Sequence, residues 1–98
     1  MIYYVNGDFI EKTATNVIVD CAGIGYDVQI SLTTYADIEA LNKGRLYTYH
    51  LIREDAEILF GFSTKREKAL FELLISVSGV GANTARMILS SLSPNETE

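Results

Sequence analysis

The sequence has no tryptophan, one cysteine (Cys21), one histidine (His50) and one proline (Pro94). A lone cysteine cannot build an internal disulfide framework and suits a reducing compartment. On an apolar strand it reads as a small buried hydrophobe. A lone histidine leaves no second imidazole for a metal centre, so His50, set between Tyr49 and Leu51, reads as structural. No apolar run approaches the roughly 20 residues of a membrane-crossing helix. The start, Met1 to Gly7, lacks the basic region and cleavage site of a signal peptide. There is no Walker A sequence, so nothing in the chain is expected to hydrolyse a nucleotide by itself. Internal repeats and low-complexity segments are also missing.

A chain of 98 residues allows one domain, or one small domain with part of another. Hydrophobic residues make up 48%, enough for a core, and charged residues 21%. The net charge of −5 is unevenly placed. Residues 1–62 carry Lys12, Lys43, Arg45 and Arg53 against Asp8, Glu11, Asp20, Asp27, Asp37, Glu39, Glu54, Asp55 and Glu57. Residues 63–98 balance Lys65, Arg66, Lys68 and Arg86 against Glu67, Glu72, Glu96 and Glu98. Long-range attraction to nucleic acid would therefore be poor. Any such binding has to come from local amide donors and a few cations.

The first 62 residues read as a small antiparallel β domain. One strand covers Ile2 to Val5 and Asp8 to Glu11, with a bend at Gly7. Ala14-Thr15-Asn16 turns into a second strand, Val17 to Cys21, and Gly23-Ile24-Gly25 into a third. In that third strand Tyr26, Val28 and Ile30 alternate with Asp27 and Gln29, the pattern of a half-buried strand. Ser31 caps a short helix with Leu32, Tyr35, Ile38 and Leu41 on one side, and Asn42-Lys43-Gly44 breaks it. Arg45 to Ile52 is a fourth strand, Arg53 to Ala56 a turn, and Glu57 to Phe62 a fifth with Ile58, Phe60 and Phe62 facing one way. Five strands with a helix between the third and fourth are the order of an OB barrel. The six tyrosines of this segment could form a stacking platform for single-stranded bases. Without a basic surface beside them, core packing and subunit contact are the better reading.

The period then changes. Thr64-Lys65-Arg66-Glu67 is a capping box, with Thr64 as N-cap and Glu67 reaching back. Helical spacing follows at Leu70, Phe71, Leu74 and Val77, and again at Ala85, Ile88, Leu89 and Leu92. Between the two runs lies Ser78-Gly79-Val80-Gly81-Ala82-Asn83-Thr84. Two glycines around one apolar residue allow the turn amides and those of the next helix to point outward together. Backed by a helix dipole, such amides can hold phosphate. The same residues also fit an ordinary helix connection with a glycine C-cap. A dinucleotide fingerprint fits worse, since a helix precedes the glycines and Thr84 stands at the third glycine position. Ser93-Pro94-Asn95-Glu96 announces a further helix two residues before the end, which leads us to expect a truncated form of something longer.

Glu54 and Asp55 project two carboxylates from a narrow strand-to-strand tip. A catalytic acid–base pair would need a pocket, and a divalent metal would need more oxygen ligands than Glu57 alone adds. A solvated turn that discourages edge-to-edge aggregation is the default for an isolated hairpin.

Taken together, Gly7, Glu11-Lys12, Gly23 to Val28, Arg53 to Ala56, Leu59 to Phe62, Glu67, Leu70-Phe71, Leu74-Ile75, Gly79-Val80-Gly81, Ala85, Ile88 to Ser90 and Leu92-Ser93 closely resemble the N-terminal part of the RuvA family. These are the Holliday-junction-binding subunits of the bacterial branch-migration complex. The resemblance runs in order along essentially the whole chain. It implies an OB-fold domain over residues 1–63, then the first helix-hairpin-helix of a second domain over 64–98. It also implies a fourfold ring of subunits with a four-way DNA junction open on one face. Hairpin residues Gly79, Val80, Gly81, Asn83 and Thr84 would hold phosphate, and Glu54 and Asp55 would form an acidic pin that parts strands at the crossover. Members of the family hydrolyse no ATP and need no cofactor or metal. They load the RuvB motor, and are cytoplasmic proteins of recombination, repair and the SOS response. Two family parts are missing from this sequence: the second helix-hairpin-helix and the domain that contacts RuvB. The chain is therefore expected not to recruit the motor and to hold DNA weakly. Where the family usually has Pro-Lys after the second hairpin glycine, this chain has Ala82-Asn83, which removes a phosphate-seeking cation. Arg86 is a cation that could compensate.

The leading expectation is a non-catalytic subunit that recognises four-way junctions by shape and phosphate position. An oligomerisation scaffold with little DNA affinity is the alternative. A helix-hairpin-helix nuclease or glycosylase is disfavoured, because no Lys or Asp follows the hairpin in a catalytic position.

Overall fold

The computed structural model describes residues 1–77 and 79–91. Ser78, Leu92 and the start signal at residues 93–96 lie outside the described residues. The elements run β1 (Tyr4–Lys12), β2 (Asn16–Cys21), β3 (Ile24–Ile30), α1 (Leu32–Ile38), β4 (Lys43–Ile52), β5 (Glu57–Phe62), α2 (Lys65–Val77) and α3 (Ala82–Ser90). The strands close into a barrel in the order β1-β2-β3-β5-β4, consistent with the OB fold. All neighbours are antiparallel except β3 and β5, which run parallel from Val28↔Leu59 to Ile30↔Gly61.

Alternation decides which residues fill the barrel. Val5 and Phe9 of β1, Val17 and Val19 of β2, Val28 and Ile30 of β3, Leu46 of β4 and Leu59 of β5 are buried together, with Ile38 of α1 closing one end. Each such side chain contributes about 1.5–3 kcal/mol relative to exposure. The long strand β1 serves both neighbours: Tyr4 to Asp8 pair with β4, and Asp8 to Lys12 with β2. Its register shift falls between Phe9 and Glu11, not at Gly7. The turn before β3 is tighter than expected. Only Ala22 (φ 54) and Gly23 (φ 93) make it, and Ile24 and Gly25 are already paired with Cys21 and Asp20. At the parallel seam a side chain on Gly61 would lie 2.4 Å from Val28 Cγ1, so β3 and β5 meet this closely only because residue 61 has none.

Strand β5 is buried on both faces. Leu59 points into the barrel, whereas Phe60 and Phe62 build a second core with Phe71 of α2 and with Ala85 and Leu89 of α3. Phe71 is the hub, its ring centroid 5.3 Å from that of Tyr49, 5.2 Å from Phe60 and 4.9 Å from Phe62. The inner faces of the helices differ from the spacing alone. In α1 the buried residues are Thr34 and Ile38, while Leu32 and Leu41 are exposed. In α2 Val77 is 74% exposed, and Leu70, Phe71, Leu74 and Ile75 form the face that meets the second core.

Thr64 does cap α2, its Oγ1 accepting from the Glu67 amide at 3.1 Å. The reciprocal half of the box does not fit the structure. The Glu67 carboxylate turns to the barrel side and accepts from the hydroxyls of Ser31 and Thr34. Ser31 Oγ in turn accepts from the Thr34 amide, capping α1, and Thr34 Oγ1 accepts from the Ser63 amide. Two stretches of chain, 31–34 and 63–67, are therefore tied together at one buried carboxylate. Burial raises the Glu67 pKa from its ordinary value of 4.5; the Ser31 and Thr34 hydroxyls oppose that shift, and nearby Asp37 adds to it. At the other end of α1, Lys12 Nζ donates to the carbonyls of Glu39 (2.8 Å) and Leu41 (2.6 Å), which gives the helix a cation at its negative end.

Candidate nucleic-acid interface

Between α2 and α3 the chain is described from Gly79 onward. Gly79 sits at φ +70, a region that side-chain-bearing residues rarely adopt. Gly81 is the N-cap of α3 in an extended conformation (φ −71, ψ 162), and no side chain caps the helix. The first intrahelical bond runs from the Ala85 amide to the Gly81 carbonyl at 2.9 Å. The amides of Ala82, Asn83 and Thr84 precede it and point out of the helix start. Asn83 and Thr84 are exposed. Val80 is half-buried against the second core and acts as the peg that seats the loop, rather than as a ligand-facing side chain.

Glu54 and Asp55 are both exposed at the β4–β5 turn, closed by a hydrogen bond from the Arg53 amide to the Ala56 carbonyl at 2.8 Å. At the base of that turn His50 Nε2 lies 3.7 Å from Glu57 Oε1. Helix α2 packs along the β4–β5 ribbon. Lys65 near the start of the helix lies over Tyr47 at 5.6 Å, while Phe71 packs on Tyr49. Strand β4 proceeds from Tyr47 through Tyr49 to the acidic turn, so α2 advances along the ribbon in the same sense. The Gly79–Gly81 loop follows the C-terminal end of α2. Lys65 and Lys68 stay at the opposite end of the helix.

Arg86 does not supply the cation missing at residue 83. Its Nη1 donates to the Thr15 carbonyl and to Gln29 Oε1, each at 3.2 Å, and its guanidinium lies 6.0 Å from the Phe60 ring. It is a strut between α3 and the β2–β3 side of the barrel. Two further bonds reinforce it: the Leu32 amide to Ser90 Oγ at 2.9 Å and Thr33 Oγ1 to the Leu89 carbonyl at 2.8 Å. Neither these partners nor the Glu67 node can be read from periodicity, since each joins residues more than 30 positions apart. Among the described residues no group of three or more acidic, histidine or cysteine side chains is placed to hold a metal ion. Nor is any described helix long and apolar enough to cross a membrane.

A closed five-stranded barrel bearing a helical pair defines a small module built on an OB-type barrel. Comparison with known proteins is more particular. The RuvA N terminal domain profile matches residues 1–61, and the chain belongs to that family. The chain is 56% identical over 96 residues to the Holliday junction branch migration complex subunit RuvA of Parabacteroides distasonis, covering 98% of this chain and 49% of that protein. The proteins of the same name from Bacteroides fragilis and Porphyromonas gingivalis are 54% and 52% identical, again over 98% of this chain and 48% of theirs. The chain thus spans about half the length of the curated relatives it matches.

Proposed function

We propose that this chain is the junction-binding part of a branch-migration subunit, with no catalytic activity of its own. Residues 1–63 act as an OB-fold domain and 64–98 as the first helix-hairpin-helix of a second domain. The amides around Gly79, Val80, Gly81, Asn83 and Thr84 hold DNA phosphates, while Glu54 and Asp55 keep the crossover free of phosphate and help part the entering strands. In the cytoplasm, four copies would surround one four-way junction, and a RuvB motor would be engaged through regions of the longer relatives that this sequence does not contain. The observation that carries the reading is the uncapped start of α3 in a chain whose β4–β5 turn exposes two carboxylates, and we propose that the two share one DNA-facing end. Attraction and repulsion at one end can discriminate a branched path of phosphates from a straight one, with no base read at all. That would also give the acidity a role, with the carboxylates barring a duplex from passing straight across.

Competition binding tests this directly. A labelled four-way junction is challenged with excess linear duplex across a salt series. Junction preference that persists after duplex binding has been lost is the expected result. Glu54→Gln with Asp55→Asn should strengthen duplex binding and reduce strand parting. Equal affinity for the two DNAs, or no affinity for either, would refute the reading, the second outcome leaving only a scaffold.

A further inference from the structure

The sequence places no basic surface beside its tyrosines, but the fold creates one. Tyr3, 53% exposed, meets Tyr4 edge-on at 6.2 Å and Tyr47 at 6.3 Å. Each ring of this trio carries a cation. Arg45 lies 4.3 Å from the centroid of Tyr4, Lys68 3.8 Å from Tyr3 and Lys65 5.6 Å from Tyr47. The six residues come from three places in the chain: the start of β1, the middle of β4 and the first turns of α2. Among the described residues no carboxylate is within ion-pair distance of these three cations. In a protein of net charge −5, three of the eight basic side chains thus converge on one half-exposed aromatic cluster.

We infer that this patch is a second nucleic-acid contact, which takes a single DNA strand. Cations seated on the rings supply charge for two or three consecutive phosphates, and the uncovered ring surfaces supply stacking area for unpaired bases. Duplex DNA can use only the charge, because its bases are already stacked within the helix. An acidic partner protein would use the charge but leave the exposed Tyr3 and Tyr4 rings without purpose. The patch lies at the start of α2, about 20 Å of helix away from the Gly79–Gly81 loop. It therefore stands or fails independently of the hairpin.

The test uses the full chain and a fluorescein-labelled oligothymidylate, read by anisotropy and by quenching of tyrosine emission, over a salt titration. Tyr3→Ala should weaken binding roughly 5- to 150-fold, the range expected for one stacked base. Lys68→Glu should weaken it comparably and lower the salt slope by about 0.7 for the cation removed. Asn83→Asp at the hairpin should lower junction binding and leave oligothymidylate binding unchanged, so that failure of one site is not mistaken for failure of the other. Unchanged affinity in Tyr3→Ala and Lys68→Glu would overturn the proposal. So would absent oligothymidylate binding, and a sedimentation mass that falls on Lys68→Glu would then identify the patch as a contact between copies.

Discussion

The buried carboxylate of Glu67 offers the sharpest test of how the helices are held to the barrel. Ser31 and Thr34 are fully buried, and both hydroxyls donate to Glu67 while accepting from the amides of Thr34 and Ser63. Glu67→Ala strips two buried O–H groups of their acceptors, at about 1–2 kcal/mol each, and empties part of the site. Relief of a buried charge offsets some of this. We expect a net loss of about 2–3 kcal/mol at neutral pH. Glu67→Gln keeps one acceptor and removes the charge, so it should lie within about 1 kcal/mol of the parent. The parent and the Gln variant should then diverge with pH. Because the folded pKa is raised above 4.5, the native state takes up the Glu67 proton more readily than the unfolded chain. The stability linked to that proton is fully present below pH 4.5 and is lost as pH rises through the folded value. Subtracting the Gln variant cancels the other carboxylates. The difference, parent minus Gln, should rise as pH falls toward 4.5 and level off below it. Urea titrations followed by circular dichroism and tyrosine emission measure this, the chain having no tryptophan. A difference that is flat or falls with acidification, or a Glu67→Ala variant as stable as the parent, would refute the reasoning.

Three further outcomes follow from the packing. Phe71→Ala should cost about 3–5 kcal/mol, since its ring joins Tyr49, Phe60 and Phe62, and near-ultraviolet dichroism of the aromatic cluster should weaken with it. Gly61→Ala should destabilise by about 1–3 kcal/mol, because the new methyl falls on Val28 at the parallel seam, and hydrogen exchange should rise along β3 and β5 first. Arg86→Ala should lower stability by about 1–2 kcal/mol through loss of its bonds to Thr15 and Gln29, yet leave the salt slope of junction binding unchanged. A slope that drops by about one unit would instead make Arg86 a phosphate contact.

Much of this protein is local, and what is local was legible. The alternation of Tyr26, Val28 and Ile30, the change to helical spacing after Thr64 and the N-cap at Ser31 each depend on a few neighbouring residues, and all appear in the structure. That Glu54 and Asp55 fall at a strand-to-strand turn and Gly79 and Gly81 between two helices was legible for the same reason: turn chemistry is written in four or five consecutive positions. One misreading came where a local rule competed with a distant partner. The Glu67 side chain is drawn from its capping box by Ser31 and Thr34, more than 30 positions away, whereas the earlier start of β3 at Ile24 is local, a turn closed by Ala22 and Gly23 alone.

The sequence by itself determined the kinds of element, their order and the residues at the tips, because periodicity and turn preference are properties of short stretches. Only the tertiary structure decided which faces meet. It buried β5 on both sides, turned Arg86 into a strut and gathered Arg45, Lys65 and Lys68 onto three tyrosines. Those outcomes depend on barrel closure and on the path of α2 along the β4–β5 ribbon. Both bring together residues tens of positions apart, which no local pattern encodes.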